Sequence, residues 1–539
     1  MTIGEKILYL RTREHLSQEA LAERLDVSRQ SVSKWELDES LPGLDKIISL
    51  SEVFSISCDD LLSHKKDITG RGNSPNQAAH APGKYFGTDG FRGEANVILT
   101  SECAYLVGRF LGWYYSKRKH SARRARIVVG KDTRRSSYML EYALIAGITS
   151  SGADAYMLHV TTTPSVSFVT RTDSFDAGVM ITASHNPFYD NGIKIINRNG
   201  EKLEDSVTSL IEAYLDSDYA PLGLQGDIPY AVGEDIGCIV DYTAGRNRYI
   251  GYLISLASHS FKGLRIGIDS ANGASWSIAK AVFNALGATV IETGCEPDGL
   301  NINKGVGSTH IENLCELVRA EGLDAGFSFD GDADRCIAVD ENGGVVDGDG
   351  ILYLLARSLK EKNALDKSTV VLTVMSNQGV LRALDEAGIR HELTDVGDRF
   401  VYEKMQEQGY SLGGEQSGHI IIRKYATTGD GLLTALMIAE EMCERKARLS
   451  ELHKSVTLYP QMQRSVRVED KEAVVSDDEV KKCYEKLTSE LGDRGRLMLR
   501  KSGTEPVIRI MAECQSKELC EKCIAEMYDV IKRRGYANE

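Results

Sequence analysis

No apolar run in these 539 residues approaches the ~18–20 needed to cross a bilayer, so a chain of membrane-spanning helices is excluded. Proline is scarce, 10 against 50 glycines, which excludes a collagen-like chain. Positive charge is not in excess. The 64 Lys and Arg against 78 Asp and Glu give −14, so any nucleic-acid contact must come from a local patch. A cysteine framework is also missing. The 11 cysteines are odd in number and scattered, as reduced thiols are. Cys520 and Cys523 form one close pair, without the second pair that a zinc site needs. Met1-Thr-Ile-Gly-Glu-Lys6 opens an amphipathic segment, not a charged-then-apolar leader. These features predict a cytoplasmic protein with no membrane partner.

What is present is an ordinary globular mixture, 42% apolar and 26% charged, long enough for several domains. In residues 1–68, Ile7, Leu10, Leu16, Leu21, Leu25, Val27, Val32 and Trp35 recur at helical spacing. Ser17 and Ser28 precede periodic runs as N-caps, and Pro42-Gly43 breaks the chain. Composition then shifts. Residues 65–83 lack periodicity and are rich in Gly, Pro, Asn and Lys, which predicts a linker over 69–83. Beyond it, a β-branched strand, a helix ending near Gly and a second strand recur three times: 127–130 to 155–160, 265–269 to 289–292, and 369–374 to 391–394. Each pattern predicts a βαβ unit with parallel strands. The expected domains are 84–235, 236–340 and 341–455, three similar α/β units with mixed or parallel sheets. An α+β domain over 456–539 follows.

Five loops carry chemistry-bearing residues. In Met180-Ile-Thr-Ala-Ser184-His185-Asn186-Pro187 an apolar strand ends in small polar residues. That puts Ser184 at the carboxyl edge of a sheet, where open α/β sheets bind ligands. Lys194 follows the turn Asp190-Asn191-Gly192. A capped turn is the plain alternative. A hydrolase triad is disfavoured, because the G-x-S-x-G elbow is absent.

In residues 327–335, Asp330, Asp332 and Asp334 follow a strand at alternate positions. Unpaired they would repel one another, so a divalent cation is the natural counter-charge, and hard oxygen ligands suit Mg²⁺. Glu341 falls at the twelfth position, as in an EF-hand. However, Arg335 stands where that loop needs glycine, and a strand precedes it where a helix should. In residues 413–419 the glycines permit close approach, and Glu415, Ser417 and His419 offer partners to sugar hydroxyls. In Arg500-Lys-Ser502-Gly503-Thr504-Glu-Pro506, with Arg509, cations, hydroxyls and amides suit a phosphate dianion. No Walker A lysine follows the glycines. Arg92, in residues 84–93, is either an anion contact or part of a structural turn.

A loop serine, a triple-aspartate loop, a sugar-type loop and a phosphate-type loop, one per domain, together resemble the α-D-phosphohexomutase family across residues 84–539. Within it the chain is most similar to the phosphoglucosamine mutases. The resemblance is carried by Tyr85-Phe-Gly-Thr-Asp-Gly90, Asn186-Pro-Phe-Tyr-Asp-Asn-Gly192, Cys295-Glu-Pro297 with Asn301-Ile-Asn303, Thr427-Thr-Gly-Asp-Gly431 and Arg500-Lys-Ser-Gly-Thr-Glu-Pro506. Phe91 replaces the Ile or Val usual in that subgroup, and Thr182 stands where it often has Ser.

The resemblance implies a phosphoryl group on Ser184. It implies one Mg²⁺ per active site, held by Asp330, Asp332, Asp334 and a phosphate oxygen on Ser184. His185, Lys194 and Arg335 would assist proton transfer and stabilise charge. Arg92, Glu415, Ser417 and His419 would bind substrate, and Arg500, Ser502, Gly503, Thr504 and Arg509 its distal phosphate. The implied reaction interconverts glucosamine 6-phosphate and glucosamine 1-phosphate through a sugar 1,6-bisphosphate, which also serves as activator. Glucose or mannose phosphates are the alternative substrates. A phosphatase with Asp330 as nucleophile is a further alternative.

Residues 1–68 resemble a phage-repressor-type helix-turn-helix domain. Gln18 opens its second helix, and Ser28-Arg29-Gln30-Ser31-Val32-Ser33-Lys34 would be the recognition helix. Gln18, Arg29, Gln30 and Lys34 are its expected contacts to duplex DNA. Its 9 Lys and Arg against 13 Asp and Glu make it acidic overall. A DNA-binding regulator whose mutase part senses sugar phosphates therefore stays open, as does a homodimer.

Overall fold

The computed structural model describes residues 84–87, 89–117, 123–501 and 507–537, and nearer the start 7, 11, 18–25, 27–36, 40, 42–43, 46–47, 49–50 and 53. The chain divides into two units, Met1–Ala81 and Pro82–Glu539. In the first, helices Gln18–Arg24 and Arg29–Glu36 follow one another closely. Ser28 Oγ accepts the Ser31 amide at 3.1 Å, the N-cap expected of it. Leu21, Ala22, Leu25, Val32 and Trp35 bury with Ile7, Ile47 and Leu50. Ser17 and the 69–83 linker lie outside the described residues.

The second unit holds four sheets. The first runs β1 (Phe86–Gly87), β2 (Gly90–Glu94), β6 (Asp190–Asn197), β5 (Ala177–Ile181), β3 (Arg126–Lys131), β4 (Asp154–Val160), β7 (Ile239–Asp241). The second runs β12 (Val345–Val346), β11 (Cys336–Asp340), β10 (Ala325–Phe329), β8 (Arg265–Asp269), β9 (Thr289–Thr293). The third runs β14 (Arg390–Thr394), β13 (Thr369–Thr373), β15 (Leu412–Gly414), β16 (Ile420–Ile422). Each of these three sheets contains one of the expected strand–helix–strand units with parallel pairing: β3 with β4, β8 with β9, β13 with β14. Strands β7 and β12 depart from the expected boundaries at 235/236 and 340/341. They lie just past them, yet they pair with β4 and β11 and complete the first and second sheets. Two or three residues are too few to show periodicity.

Cores explain the grouping. The first sheet has its own apolar core. One continuous core joins the second and third sheets. A separate core serves the fourth sheet, β17 (Gln461–Arg467), β19 (Val507–Cys514), β18 (Gly495–Lys501), all antiparallel. There Val466, Leu497, Ile508, Ile510 and Ala512 alternate onto the helix-covered face. The other face carries Gln461, Arg496, Arg500, Arg509 and Glu513. Among the described residues no helix is long and apolar enough to cross a membrane.

Candidate active site

Every residue of β5 is buried, so the chain leaves that strand at the sheet's carboxyl edge and turns out between packed layers. Ser184 takes φ 50° there, an uncommon conformation for a residue with a Cβ. Its amide donates to Thr182 Oγ1 at 2.9 Å. Its carbonyl accepts from Arg134 Nη2 at 2.9 Å and Asn303 Nδ2 at 2.8 Å. Arg134 is fully buried, paired with Asp132 at 2.8 Å, and donates also to the carbonyls of Asn186, Pro187 and Asp190. One guanidinium thus satisfies four loop carbonyls, which holds the loop against its backbone strain. Ser184 Oγ donates to Asp330 Oδ2 and lies 3.4 Å from His185 Nδ1. Burial, with Arg335 and Arg92 nearby, pushes the His185 imidazole down to about 4, so the ring is neutral near pH 7.

The aspartate loop leaves the buried strand β10 and presses on the serine loop. A Cβ on Gly331 would come within 2.5 Å of the Ser184 carbonyl oxygen, so only glycine lets the two loops touch. Oxygens of Asp330, Asp332 and Asp334 lie within 4.8 Å of one another, all buried. Thr163 Oγ1 donates to Asp332 Oδ2 at 2.5 Å, and Lys194 Nζ bridges Asp332 at 2.9 Å and Asp334 at 3.1 Å. Asp332 Oδ1 and Asp334 Oδ1 are buried with no hydrogen-bond partner. Orphaned acceptors in an oxygen-only cluster are unfavourable unless a cation takes them, and the donor set fits Mg²⁺.

Burial, then the Asp334 and Asp332 charges, push the Asp330 carboxyl well up. Burial also opposes charge on Lys194, but Asp332, Asp334 and Asp89 hold it firmly cationic. Charge alternates outward from there. Asp89 is 3.2 Å from Lys194 and 3.4 Å from Lys202, and pairs with Arg92. Lys202 is 2.6 Å from Asp398.

The sugar-type loop joins the same place. Cys336, directly after Arg335, donates its amide to the Gly418 carbonyl at 3.0 Å. The Arg335 amide donates to Asp330 Oδ1 at 3.2 Å, and its Nε is 3.9 Å from Asp334. Glu415 accepts the Gly397 amide at 3.0 Å, and Ser417 Oγ is enclosed without a partner. His419 is buried. The Gly429 amide lies 3.0 Å from its Nε2, and Asp334 lies 3.7 Å from its Nδ1.

Arg500 and Arg509 stand elsewhere, directly opposite each other on β18 and β19. Ser502, Gly503 and Thr504 lie outside the described residues. In the N-terminal unit, Arg29, Gln30 and Lys34 are exposed on one short helix. Gln18 instead donates to the buried Glu36 at 2.8 Å, beside Arg11 at 2.5 Å. Sequence reasoning missed Arg134, Thr163, Lys202 and Asp398. Asp132-Thr-Arg134 carried a usable signal, because it follows β3 at the same sheet edge as Ser184.

Family profiles described as phosphoglucomutase/phosphomannomutase match domain by domain: α/β/α domain I over residues 83–221, domain II over 247–344, domain III over 347–459, and the C-terminal domain over 465–530. A helix-turn-helix profile matches 7–61. A phosphoglucosamine mutase of Lachnospira eligens is 59% identical over 455 residues, covering 84% of this chain and 100% of the relative. Solved structures share the fold. A phosphoglucomutase/phosphomannomutase family protein of Burkholderia thailandensis aligns with TM-score 0.68 at 22% identity, over 85% of this chain and 99% of its own. The N-acetylphosphoglucosamine mutase of Aspergillus fumigatus, solved with GlcNAc-6P and magnesium, aligns with TM-score 0.58 at 16% identity, over 84% and 96%. The chain belongs to the phosphoglucomutase/phosphomannomutase family, with a helix-turn-helix domain ahead of its four mutase domains.

Proposed function

We propose that this chain interconverts glucosamine 6-phosphate and glucosamine 1-phosphate through a phosphoryl group on Ser184. The observation that carries this is the Ser184 hydroxyl, held in a strained loop against Asp330 of an oxygen triad with two orphaned acceptors. The phosphoglucosamine mutase at 59% identity supports the choice of sugar. In the first half-reaction a sugar hydroxyl oxygen bonds to the phosphorus on Ser184, and the bond to Ser184 Oγ breaks. His185 accepts the hydroxyl proton, and Ser184 Oγ, 3.4 Å from its Nδ1, takes up a proton as it leaves, so the serine hydroxyl is restored. Lys194 and Arg335 stabilise the charge of the transferring group. Glu415, Ser417 and His419 orient the ring, Arg92 meets an anionic group of the substrate, and Arg500, Ser502, Gly503, Thr504 and Arg509 hold the far phosphate. The 1,6-bisphosphate then turns end for end and returns its other phosphate to Ser184. Added bisphosphate acts as activator by charging the serine. Asp330, Asp332, Asp334 and a phosphate oxygen on Ser184 would hold Mg²⁺, which supplies positive charge beside the transferring group.

The test is a coupled assay in both directions on glucosamine, glucose and mannose phosphates, primed with 1,6-bisphosphate. A clear preference for glucosamine supports this reading. A preference for glucose or mannose replaces the substrate but keeps the mechanism.

The helix-turn-helix match supports duplex DNA as a second partner, met by Arg29, Gln30 and Lys34, with Gln18 serving the frame through Glu36. A homodimer would present two such units to two half-sites. All described cysteines are free thiols, which supports a reducing, cytoplasmic setting.

A further inference from the structure

Glu513 is fully buried, far along β19 from the arginine pair, and the reaction outlined above makes no use of it. A buried carboxylate is tolerated only when its lone pairs are taken. Here one oxygen accepts the Gln378 amide at 2.5 Å, from the third mutase domain. The other accepts Gln461 Nε2 at 2.5 Å and Arg496 Nη2 at 3.0 Å, both from the C-terminal domain. Arg496 in turn donates to the carbonyls of Val374 at 2.7 Å and Ser376 at 2.6 Å, beyond the end of β13. Separating the two domains would therefore strand a carboxylate and a guanidinium together.

The connecting strap is pinned beside them. Asn377 exchanges two 2.9 Å hydrogen bonds with the Tyr459 backbone. A Cβ on Gly379 would meet the Thr457 carbonyl oxygen at 1.8 Å.

Two more observations give this latch a role. Gln461 Oε1 faces Gln416 Nε2 at 3.5 Å, and Gln416 sits between Glu415 and Ser417 while also donating to Asp347 at 3.1 Å. Furthermore, the strand register puts Arg496 opposite Glu513 and Arg500 opposite Arg509, on one face of the same sheet. Four residues separate the two pairs, about 13 Å along a strand. The latch end and the arginine end thus move as one body. The C-terminal domain keeps its own core, so opening the latch leaves that core closed.

We propose that Glu513 is a positioning residue that sets where the Arg500–Arg509 end stands, through a relay from Arg496 and Gln461 to Gln416 in the sugar-binding loop. The proposal rests on the assignment of residues 413–419 to the sugar and of Arg500 to its phosphate. Closing the loop on sugar hydroxyls and seating the far phosphate then become one event. Opening the latch lets the bisphosphate turn.

The test uses full-length Glu513→Gln, which keeps the shape but sets an NH₂ against donors. Amide exchange at 374–378 and 457–461 should quicken about tenfold, the scale of one charge-assisted hydrogen bond, while the first domain is unchanged. KM for glucosamine 6-phosphate should rise about tenfold with kcat little altered. Unchanged exchange, or a loss confined to kcat, overturns the proposal. Should this variant fail to fold, a cycle of Gln416→Ala and Gln461→Ala decides. Non-additive effects on KM support the relay, and additive ones overturn it. A wild type inert to every hexose phosphate would defeat the mutase assignment, and the exchange comparison would still decide the positioning role.

Discussion

Around Ser184 the protein has already arranged its charges, whereas at the β18–β19 hairpin it has left them facing each other. The serine and aspartate loops hold Ser184, Asp330, Asp332 and Asp334 almost wholly buried, braced by Arg134, Thr163 and Lys194. Arg500 and Arg509 instead stand as like charges across an antiparallel pair, with Arg500 exposed. Like charges set directly opposite each other suit an anion between them. A prebuilt charge array acts on the transition state, so damage to it should appear in the rate. A site completed by its ligand should show damage in binding.

The largest effect tests the first half of that contrast. Ser184→Ala should lower turnover by about 10⁴-fold or more, since a methyl group cannot carry phosphate, while the fold stays intact by circular dichroism. Full activity, or active enzyme without phosphate on Ser184 by mass spectrometry, would remove the covalent mechanism. Asp332→Asn should cost about 10²–10³ in kcat, as for one lost preorganised electrostatic group. EDTA should silence the wild type and Mg²⁺ restore it. Activity indifferent to chelator would refute the metal assignment. Arg500→Ala should instead raise KM by about ten- to a hundredfold, the value of a charge-assisted hydrogen bond. A fall in kcat alone would erase the distinction between the two regions.

The same contrast governs what the sequence revealed. Ser184 and the three aspartates were legible because each group lies within one short loop after an apolar strand. The three βαβ units were legible because strand, helix and glycine recur at short range. Lys202 and Asp398 are 196 residues apart, and Arg134 reaches 50 residues to the Ser184 carbonyl. Single-chain spacing carries no trace of such pairings. Glu513 lies in a strand whose neighbours Ile510, Met511 and Ala512 are apolar, and only the register shows it meeting Arg496.

A smaller effect sharpens the hinge between the two regions. Burial, then the neighbouring Asp347 charge, push the Asp349 carboxyl up to about 7, while it accepts the Asn377 amide at 2.7 Å; Glu513 also faces it. The folded chain therefore binds this proton more tightly than the unfolded one. Stability from this group is present below about pH 4 and declines as pH rises toward 7. Asp349→Asn should flatten that decline in melting temperature between pH 5 and 8. Parallel pH profiles for variant and wild type would reject the role of Asp349.

The smallest expected change is none at all. Every proposed mutase residue lies after residue 83, and the N-terminal unit has its own small core. Deleting residues 1–83 should leave kcat and KM within about twofold, as for domains with independent cores. A lost activity would mean that the first unit completes the mutase, and the contrast drawn above would then need a third region. The deleted unit has a separate readout in the full-length protein. Arg29→Ala and Gln30→Ala should each weaken binding to a selected duplex by about 1–3 kcal/mol, Arg29 at a guanine and Gln30 at an adenine. Lys34→Ala should weaken binding to all duplexes alike and reduce the salt dependence. Selection from random duplexes at low salt that enriches no motif would reassign this helix to protein contacts. The acidic balance of residues 1–68, 9 cations against 13 anions, makes that selection a demanding one, since little non-specific attraction is available to imitate recognition.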